Sequence, residues 1–299
     1  MKQKKNIDWH EAGYHVLQIE FEDEIEKLEF SREYRLGKSK DSQRVDILII
    51  KKPEDYAIQK NIGHIFRTHN LIEYKSPHDY LSIDDFYKTI GYACTYMALT
   101  GKVNELLPEN ISISYIVHSF PRKLERHLKH LKHTTNQEAA FEKHETGIYY
   151  IYGRIFPVQL IVSRELNPEN NLWLRCLSSD IRERKMYEAL KSSYSGHQNE
   201  PRYIIPMNAI IQGNQNSKEG KIMCEALYEL FADELVEREN KGKALGKEEG
   251  LALGKEEGFI QGMTQSIRSI CASLKMTTDQ AMDILDIPLE KRADYEALI

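Results

Sequence analysis

The sequence predicts an α/β fold in which a mixed β-sheet with helices is followed by a helical C-terminal arm. Two observations support this. Short segments rich in β-branched residues alternate with amphipathic helical segments through about residue 200, and the composition changes near residue 240, where glycine recurs every fourth position. A chain of 299 residues can hold one sizeable domain with an appendage, or two domains. We therefore expect an α/β domain over residues 1–200 and a helical arm over residues 201–299.

The composition is that of an ordinary soluble protein, with 41% hydrophobic and 29% charged residues. The net charge of −5 does not by itself indicate a nucleic-acid-binding protein, so the distribution of charge matters more than its sum. The N-terminus lacks the apolar stretch of a signal peptide, and no apolar run approaches the roughly 20 residues that span a bilayer. We expect a cytoplasmic protein without a membrane segment. The four cysteines fit a reduced compartment, because none forms a CxxC pair: Cys94, Cys176, Cys224 and Cys271.

Apolar periodicity defines the elements of the first 75 residues. Residues 7–27 follow a mostly helical rhythm that breaks near its middle, and residues 28–36 alternate as a strand does. Residues 44–50 are apolar on both faces, which predicts a central strand. A polar excursion over residues 51–70 leads to a second short strand over residues 70–75, which a proline ends.

The remaining elements are read from the same patterns. Residues 82–99 predict a helix, because a serine cap, acids in the first turn and an apolar stripe coincide there. Predicted strands cover residues 111–120, 147–152, 157–163 and 172–177, and predicted helices cover residues 121–133, 180–194 and 206–240. The last segment, residues 264–299, reads as two or three short helices.

Three charged residues of the two short strands form the most informative pattern. Asp46 lies in the apolar strand, and the following strand contains Glu73 and Lys75 with one residue between them. Residues i and i+2 of a strand point to the same face, so Glu73 and Lys75 are co-facial, and pairing of the two strands would bring Asp46 beside Glu73. Neighbouring carboxylates suit a hard divalent cation, and a lysine beside it can position attacking water.

This pattern resembles the PD-(D/E)XK nuclease superfamily and, more narrowly, the bacterial nuclease-type transposase and recombination-promoting nuclease group. The resemblance implies a restriction-endonuclease-like core in which Asp46 and Glu73 bind Mg²⁺, with Mn²⁺ as the alternative, and Lys75 works with the attacking water. It also implies a further acidic residue from the preceding strand or helix, for which Glu33 is the first choice and Glu11 the second. The chain departs from the pattern by having valine where the family often has proline before the aspartate, and by the 26 residues between Asp46 and Glu73.

Two helical segments could contact nucleic-acid phosphates. Lys88 and Tyr92 are four residues apart and therefore share one face of the helix over residues 82–99. The next predicted helix is the most basic part of the body, and Arg122, Lys123 and Arg126 are its candidate phosphate ligands. A solvated helix face is the alternative explanation for both groups.

The glycine-spaced repeat over residues 241–262 allows two interpretations. Glycine costs a helix about 1 kcal/mol relative to alanine, so six of them require compensation. A groove of glycines would let another helix approach closely, which predicts a self-associating arm and a homo-oligomer, whereas a flexible charged tether is the alternative. The segment over residues 277–299 is acidic, which favours packing or a protein partner over DNA binding.

The functional expectation is a metal-dependent DNA endonuclease that hydrolyses phosphodiester bonds, linked through the family resemblance to mobile elements or recombination. RNA is the alternative substrate, because the chemistry at phosphorus is shared. The second hypothesis is a catalytically weak nuclease-fold protein that acts as an interaction module through its helical arm.

Overall fold

The structure is a computed structural model that describes residues 7–37, 42–52, 55–135, 141–215 and 260–289, with single residues at 221, 292, 295 and 298. The chain divides into two compact units, Met1–Leu227 and Tyr228–Ile299. The glycine-spaced repeat, apart from residues 260–262, lies outside the described residues, so the two interpretations of it remain predictions.

A seven-stranded mixed sheet forms the centre of the first unit and confirms the predicted α/β class. Its strands are β1 (Leu28–Arg35), β2 (Arg44–Lys51), β3 (His69–Tyr74), β4 (Ile111–Val117), β5 (Phe141–Glu145), β6 (Ile148–Ile151) and β7 (Val158–Val162). They are arranged in the order β1-β2-β3-β4-β7-β6-β5. The pairs β3–β4 and β4–β7 are parallel, and the other four pairs are antiparallel.

The described helices of the first unit are α1 (Trp9–Glu20), α2 (Ile83–Leu99), α3 (Arg122–Thr135), α4 (Leu172–Cys176), α5 (Arg184–Tyr194) and α6 (Pro201–Asn214). Helices α1 and α2 contact the sheet, and α4 and α6 pack against α1. In the second unit, residues 260–274 are helical and are followed by α7 (Thr278–Ile284). Short 3-10 helices lie at Glu22–Lys27, Asn61–Gly63, Pro108–Asn110 and Ser163–Glu165.

Burial of the central strands explains why their sequences lack alternation. All residues of β4 and β7 are buried, as expected for parallel strands covered on both faces. Helix α2 contributes Phe86, Ala93 and Tyr96 to the core that packs on β4. The predicted break in the first helix is also observed, since α1 ends at Glu20 and a 3-10 helix follows.

One predicted element was wrong, and one strand was missed. Residues 172–177 are not a strand, because residues Leu172–Cys176 form helix α4. Its Leu174 N–H donates to Glu20 Oε1, so a carboxylate of α1 satisfies part of its N-terminal turn and the helix covers α1 instead of joining the sheet. Strand β5 was not predicted, because its sequence FEKHE is polar and the residues of an edge strand need little burial.

The polar excursion between β2 and β3 makes contacts with the helices and strands of the first unit. The backbone carbonyl of Ile62 accepts a hydrogen bond from Gln159 of β7, and Lys60 forms an ion pair with buried Glu20 of α1. Asn61 donates to Glu145 of β5. The excursion is therefore fastened to α1, β5 and β7 by polar contacts.

The second unit has a small core of its own. Ile267, Ala281, Met282, Ile287 and Tyr295 are buried together. The described helices of this segment confirm the prediction of short helices between residue 264 and the C-terminus, as far as the structure describes it. Within the described residues, no helix combines the length and apolarity that crossing a bilayer requires.

Candidate active site

The pairing of β2 with β3 places Asp46 and Glu73 opposite each other. Ile47 pairs with Ile72 in an antiparallel register, and extending this register by one residue sets Asp46 opposite Glu73. Directly opposite residues project from the same face of a sheet, so the two carboxylates share a face. Asp46 Oδ2 also accepts the backbone N–H of Tyr74 at 3.0 Å, which fixes the aspartate against β3.

Lys75 is held between two carboxylates. Its Nζ lies 2.9 Å from Glu73 Oε1 and 3.0 Å from Asp85 Oδ1. Asp85 is positioned by the start of α2, where it and Ser82 form a reciprocal capping box. The same aspartate thus caps a helix through Oδ2 and orients the lysine through Oδ1. From the sequence alone, Asp85 was an acid in the first turn of a helix, with no signal of this second contact.

Burial and charge set the protonation of this group. Burial raises the pKa of Glu73, and the negative charge of Asp46 raises it further, while Lys75 opposes both. Burial lowers the pKa of Lys75, but Glu73 and Asp85 outweigh it, so the pKa lies above its ordinary value and the amine is charged. Two acids facing each other beside one lysine are an arrangement that a further cation would stabilise.

Helix α1 adds His10 to the group. Its Nδ1 lies 3.5 Å from Asp46 Oδ2, and the hydrogen bond with Asp46 raises the pKa of the imidazole. Gly13 allows the close approach of α1, since a Cβ at that position would lie 3.2 Å from three atoms of the Tyr74 ring, a tight contact. His10 lies one turn before Gly13 and packs edge-on against the same ring, with 5.7 Å between centroids. His10 was not predicted, because only the packing of α1 on β3 brings it to Asp46.

The acids expected as further site residues lie elsewhere. Glu33 is exposed, has a positive φ of 48° and pairs with Arg44 at 3.0 Å. Glu11 pairs with Arg32 at 3.1 Å. The structure therefore brings Asp46, Glu73 and Lys75 together and adds Asp85 and His10, but it joins neither Glu33 nor Glu11 to them.

Two carboxylates on one face of the sheet are the donor type that suits a hard divalent cation. Among the described residues, the contacts to Asp46 engage its Oδ2 and the contact to Glu73 engages its Oε1, so Oδ1 and Oε2 are the oxygens available to a ligand. Carboxylate oxygens are the preferred protein ligands of Mg²⁺ and Mn²⁺. Asp46 and Glu73 are the residues that would hold such an ion.

A group of cationic and aromatic side chains lies on α2, on α3 and just before the start of α2. The helices are linked by Tyr87 of α2 and His127 of α3, whose Oη and Nε2 are 3.0 Å apart. Lys88 Nζ lies 5.4 Å from the ring centroid of Tyr92, as their shared face predicts, but Tyr92 itself is buried. Lys123 Nζ lies 5.7 Å from the ring of exposed Tyr80. We define the basic surface by its exposed cations, Lys88, Arg122, Lys123 and Arg126.

Comparisons with known protein families, with curated proteins and with solved structures gave no match.

Proposed function

We propose that this protein is a divalent-metal-dependent endonuclease that hydrolyses phosphodiester bonds, with DNA as its substrate. One observation carries the proposal: two carboxylates of neighbouring strands, Asp46 and Glu73, share a face next to a lysine held by Glu73 and Asp85. The chemistry that a divalent cation supplies when bound there is the activation of water and the neutralisation of charge on the phosphate.

The side chains of the chain have separate roles in this proposal. Asp46 and Glu73 hold the cation, and the Tyr74 N–H keeps Asp46 oriented. Two of the three N–H donors of charged Lys75 are directed to Glu73 and Asp85, and the third orients the attacking water. His10 faces Asp46 through Nδ1, which leaves Nε2 to deliver a proton to the departing oxygen.

The basic surface supports a polyanionic substrate. Arg122, Lys123 and Arg126 are exposed on α3, which follows the end of β4 that adjoins Lys75, and the Lys75 N–H donates to Ile116 of that strand. Such cations bind phosphates without reading sequence. A role in recombination or in mobile elements belongs to the same proposal and rests on the family resemblance.

A second candidate function is that of an interaction module with weak catalysis. The observation that favours it is a set of exposed apolar residues in the second unit, where Leu274, Ile284 and Leu289 are 59%, 53% and 81% exposed. If these side chains form one contiguous patch, they would provide a protein-binding surface.

The test is cleavage of supercoiled plasmid with Mg²⁺ or Mn²⁺ by the full chain and by Asp46→Ala. We expect nicking by the unchanged protein and its loss in the variant, while Asp84→Asn, an exposed neighbour of Asp85, keeps it. A single-stranded RNA is incubated in parallel to distinguish the substrates. Equal nicking by the Asp46→Ala variant would contradict the site, and inactivity on both nucleic acids would favour the interaction module.

A further inference from the structure

A second group of potential metal ligands lies away from Asp46 and Glu73. His64 belongs to the excursion between β2 and β3, and His144 and Glu145 end strand β5. One ligand atom from each of the three residues lies within 4.8 Å of the others. The polar excursion and an edge strand, distant in sequence, thus supply one donor set.

A β-bulge explains how two adjacent strand residues can contribute to the same group. Neighbouring residues of a regular strand point to opposite faces. The pairing of β5 with β6 shifts between Lys143, which pairs with Tyr149, and Glu145, which pairs with Ile148. His144 is the extra residue, and such bulges re-aim side chains. The irregularity therefore allows His144 and Glu145 to face His64 together.

Contacts outside the group orient each ligand. His64 Nε2 lies 3.0 Å from the carbonyl oxygen of Gln59, which can only accept, so Nε2 carries the proton and the lone pair lies on Nδ1. Asn61 Nδ2 donates to Glu145 Oε2 at 2.9 Å. The imidazole of His144 stacks on Tyr150 with 4.4 Å between centroids. Hydrogen bonds of this kind support ligands in metal sites.

We propose that His64, His144 and Glu145 form a binding site for a transition-metal dication, with Zn²⁺ as the best match. Two imidazoles and one carboxylate are a donor set that suits Zn²⁺, whereas Mg²⁺ prefers oxygen ligands alone. Ligand atoms around one tetrahedral Zn²⁺ lie about 3.4 Å apart. Binding would therefore require the three atoms, which lie within 4.8 Å of one another, to move closer, and both histidines have exposed side chains that can rotate.

The bound ion would join the excursion to the edge of the sheet. His64 is anchored through Gln59, whose N–H, like that of Lys60, donates to Glu24. A cation shared with β5 would add a link between this segment and the far edge of the sheet. Three protein ligands leave a fourth position for water, as in open zinc sites.

The experiment uses the full chain after removal of metal with a chelator. Zn²⁺ is titrated against a chromogenic chelator in excess Mg²⁺, which would compete for the carboxylate site of the proposed function. Co²⁺ replaces Zn²⁺ for absorption spectra. The variants are His64→Ala, His144→Ala and Glu145→Gln, and His130→Ala serves as a matched control on an exposed helix position. Thermal unfolding is followed with and without Zn²⁺.

We expect one equivalent of Zn²⁺, a weakening of more than about tenfold in each ligand variant and no change in His130→Ala or Asp46→Asn. Zn²⁺ should raise the melting temperature of the unchanged protein but not of His144→Ala. Undiminished Zn²⁺ binding in His64→Ala and His144→Ala would overturn the inference, and so would binding that is lost in Asp46→Asn instead. Because metal binding is measured apart from cleavage, an inactive protein leaves this test intact.

Discussion

Two buried glutamates of this fold differ in how completely their oxygens are used. Glu20 of α1 and Glu73 of β3 have side chains that are 3% and 6% exposed, and burial raises the pKa of both. Glu20 uses both oxygens: Oε1 accepts from the Leu174 N–H and Oε2 pairs with Lys60. Glu73 pairs through Oε1 with Lys75 and faces a second acid, Asp46.

The difference separates a structural carboxylate from a candidate catalytic one. A buried charge is tolerated when its hydrogen bonds and its counter-charge are complete, and Glu20 meets both conditions while joining α1, α4 and the excursion. Among the described residues, Oε2 of Glu73 has no contact comparable to that of Oε1, and the charge of Asp46 is unfavourable for the charge of Glu73. A bound cation would reduce this repulsion. Substitutions of the two residues should therefore change different properties.

The largest effect is expected for Glu73→Gln. Cleavage should fall at least about 1,000-fold, because a ligand and a charge used in phosphate hydrolysis are lost together. The free energy of unfolding should change by less than about 1 kcal/mol, since the amide removes a charge that burial disfavours while Lys75 keeps Asp85. Initial cleavage rates and urea denaturation measure the two quantities, and a large loss of stability without loss of activity would reverse the comparison.

Glu20→Ala should give the opposite result. Removing Glu20 leaves the Leu174 N–H without its acceptor, and it leaves Lys60, which also donates to the Asn170 carbonyl, without its counter-charge. We expect this to cost about 3–5 kcal/mol of unfolding free energy. Cleavage at 25 °C by the folded fraction should stay within about twofold. Urea denaturation is again the measurement, with Glu20→Gln as the smaller substitution, and a stable but inactive Glu20→Ala would make this residue part of the site.

A comparison of His10→Ala with Glu33→Gln sharpens the assignment of the third site residue. We expect His10→Ala to lower the rate of cleavage about 100-fold, because a proton donor beside Asp46 is lost. Glu33→Gln should stay within about twofold, since Glu33 is exposed and pairs with Arg44. Single-turnover cleavage measures both, and a large loss in Glu33→Gln would restore the acid expected from the sequence.

The smallest effect is expected on the basic surface. Replacing Arg122, Lys123 and Arg126 with alanine should weaken DNA binding about tenfold at moderate salt. The slope of the logarithm of the DNA association constant against the logarithm of the salt concentration is negative. Its magnitude should fall by about 2.7, the value for three phosphate contacts. The matched control replaces the exposed cations of α5, Arg184, Lys185 and Lys191. Equal slopes for the two triple variants would show that the surface of α3 is only a solvated helix face.

Much of the sheet could be predicted because its central strands carry a local signal. Residues 44–50 are apolar on both faces and residues 70–75 end at a proline, and both segments are strands in the structure. Glu73 and Lys75 are two residues apart, so they could be predicted to share one face from the geometry of a single strand. The pairing of Asp46 with Glu73 needed only that these two strands be neighbours.

The rest of the site depends on contacts that no local pattern encodes. His10 reaches Asp46 because a glycine one turn later lets α1 pack against Tyr74. Asp85 looks like a helix-capping acid, and its contact with Lys75 forms only when α2 packs on the sheet, where it contacts β2 and β4. Residues 172–177 show that secondary structure is also limited in this way. A short apolar run is compatible with a strand or a helix, and the contacts of the fold decide between them.

The two outer strands of the sheet have a consequence for behaviour at high concentration. β1 and β5 are its edges, and each carries an irregularity: Glu33 with positive φ in β1, and the bulge at His144 in β5. Exposed charges, Glu142 and Lys143, flank that bulge. Interrupted, charged edges resist the addition of a strand from another molecule. Growth into fibrils by strand addition at these two edges is therefore disfavoured.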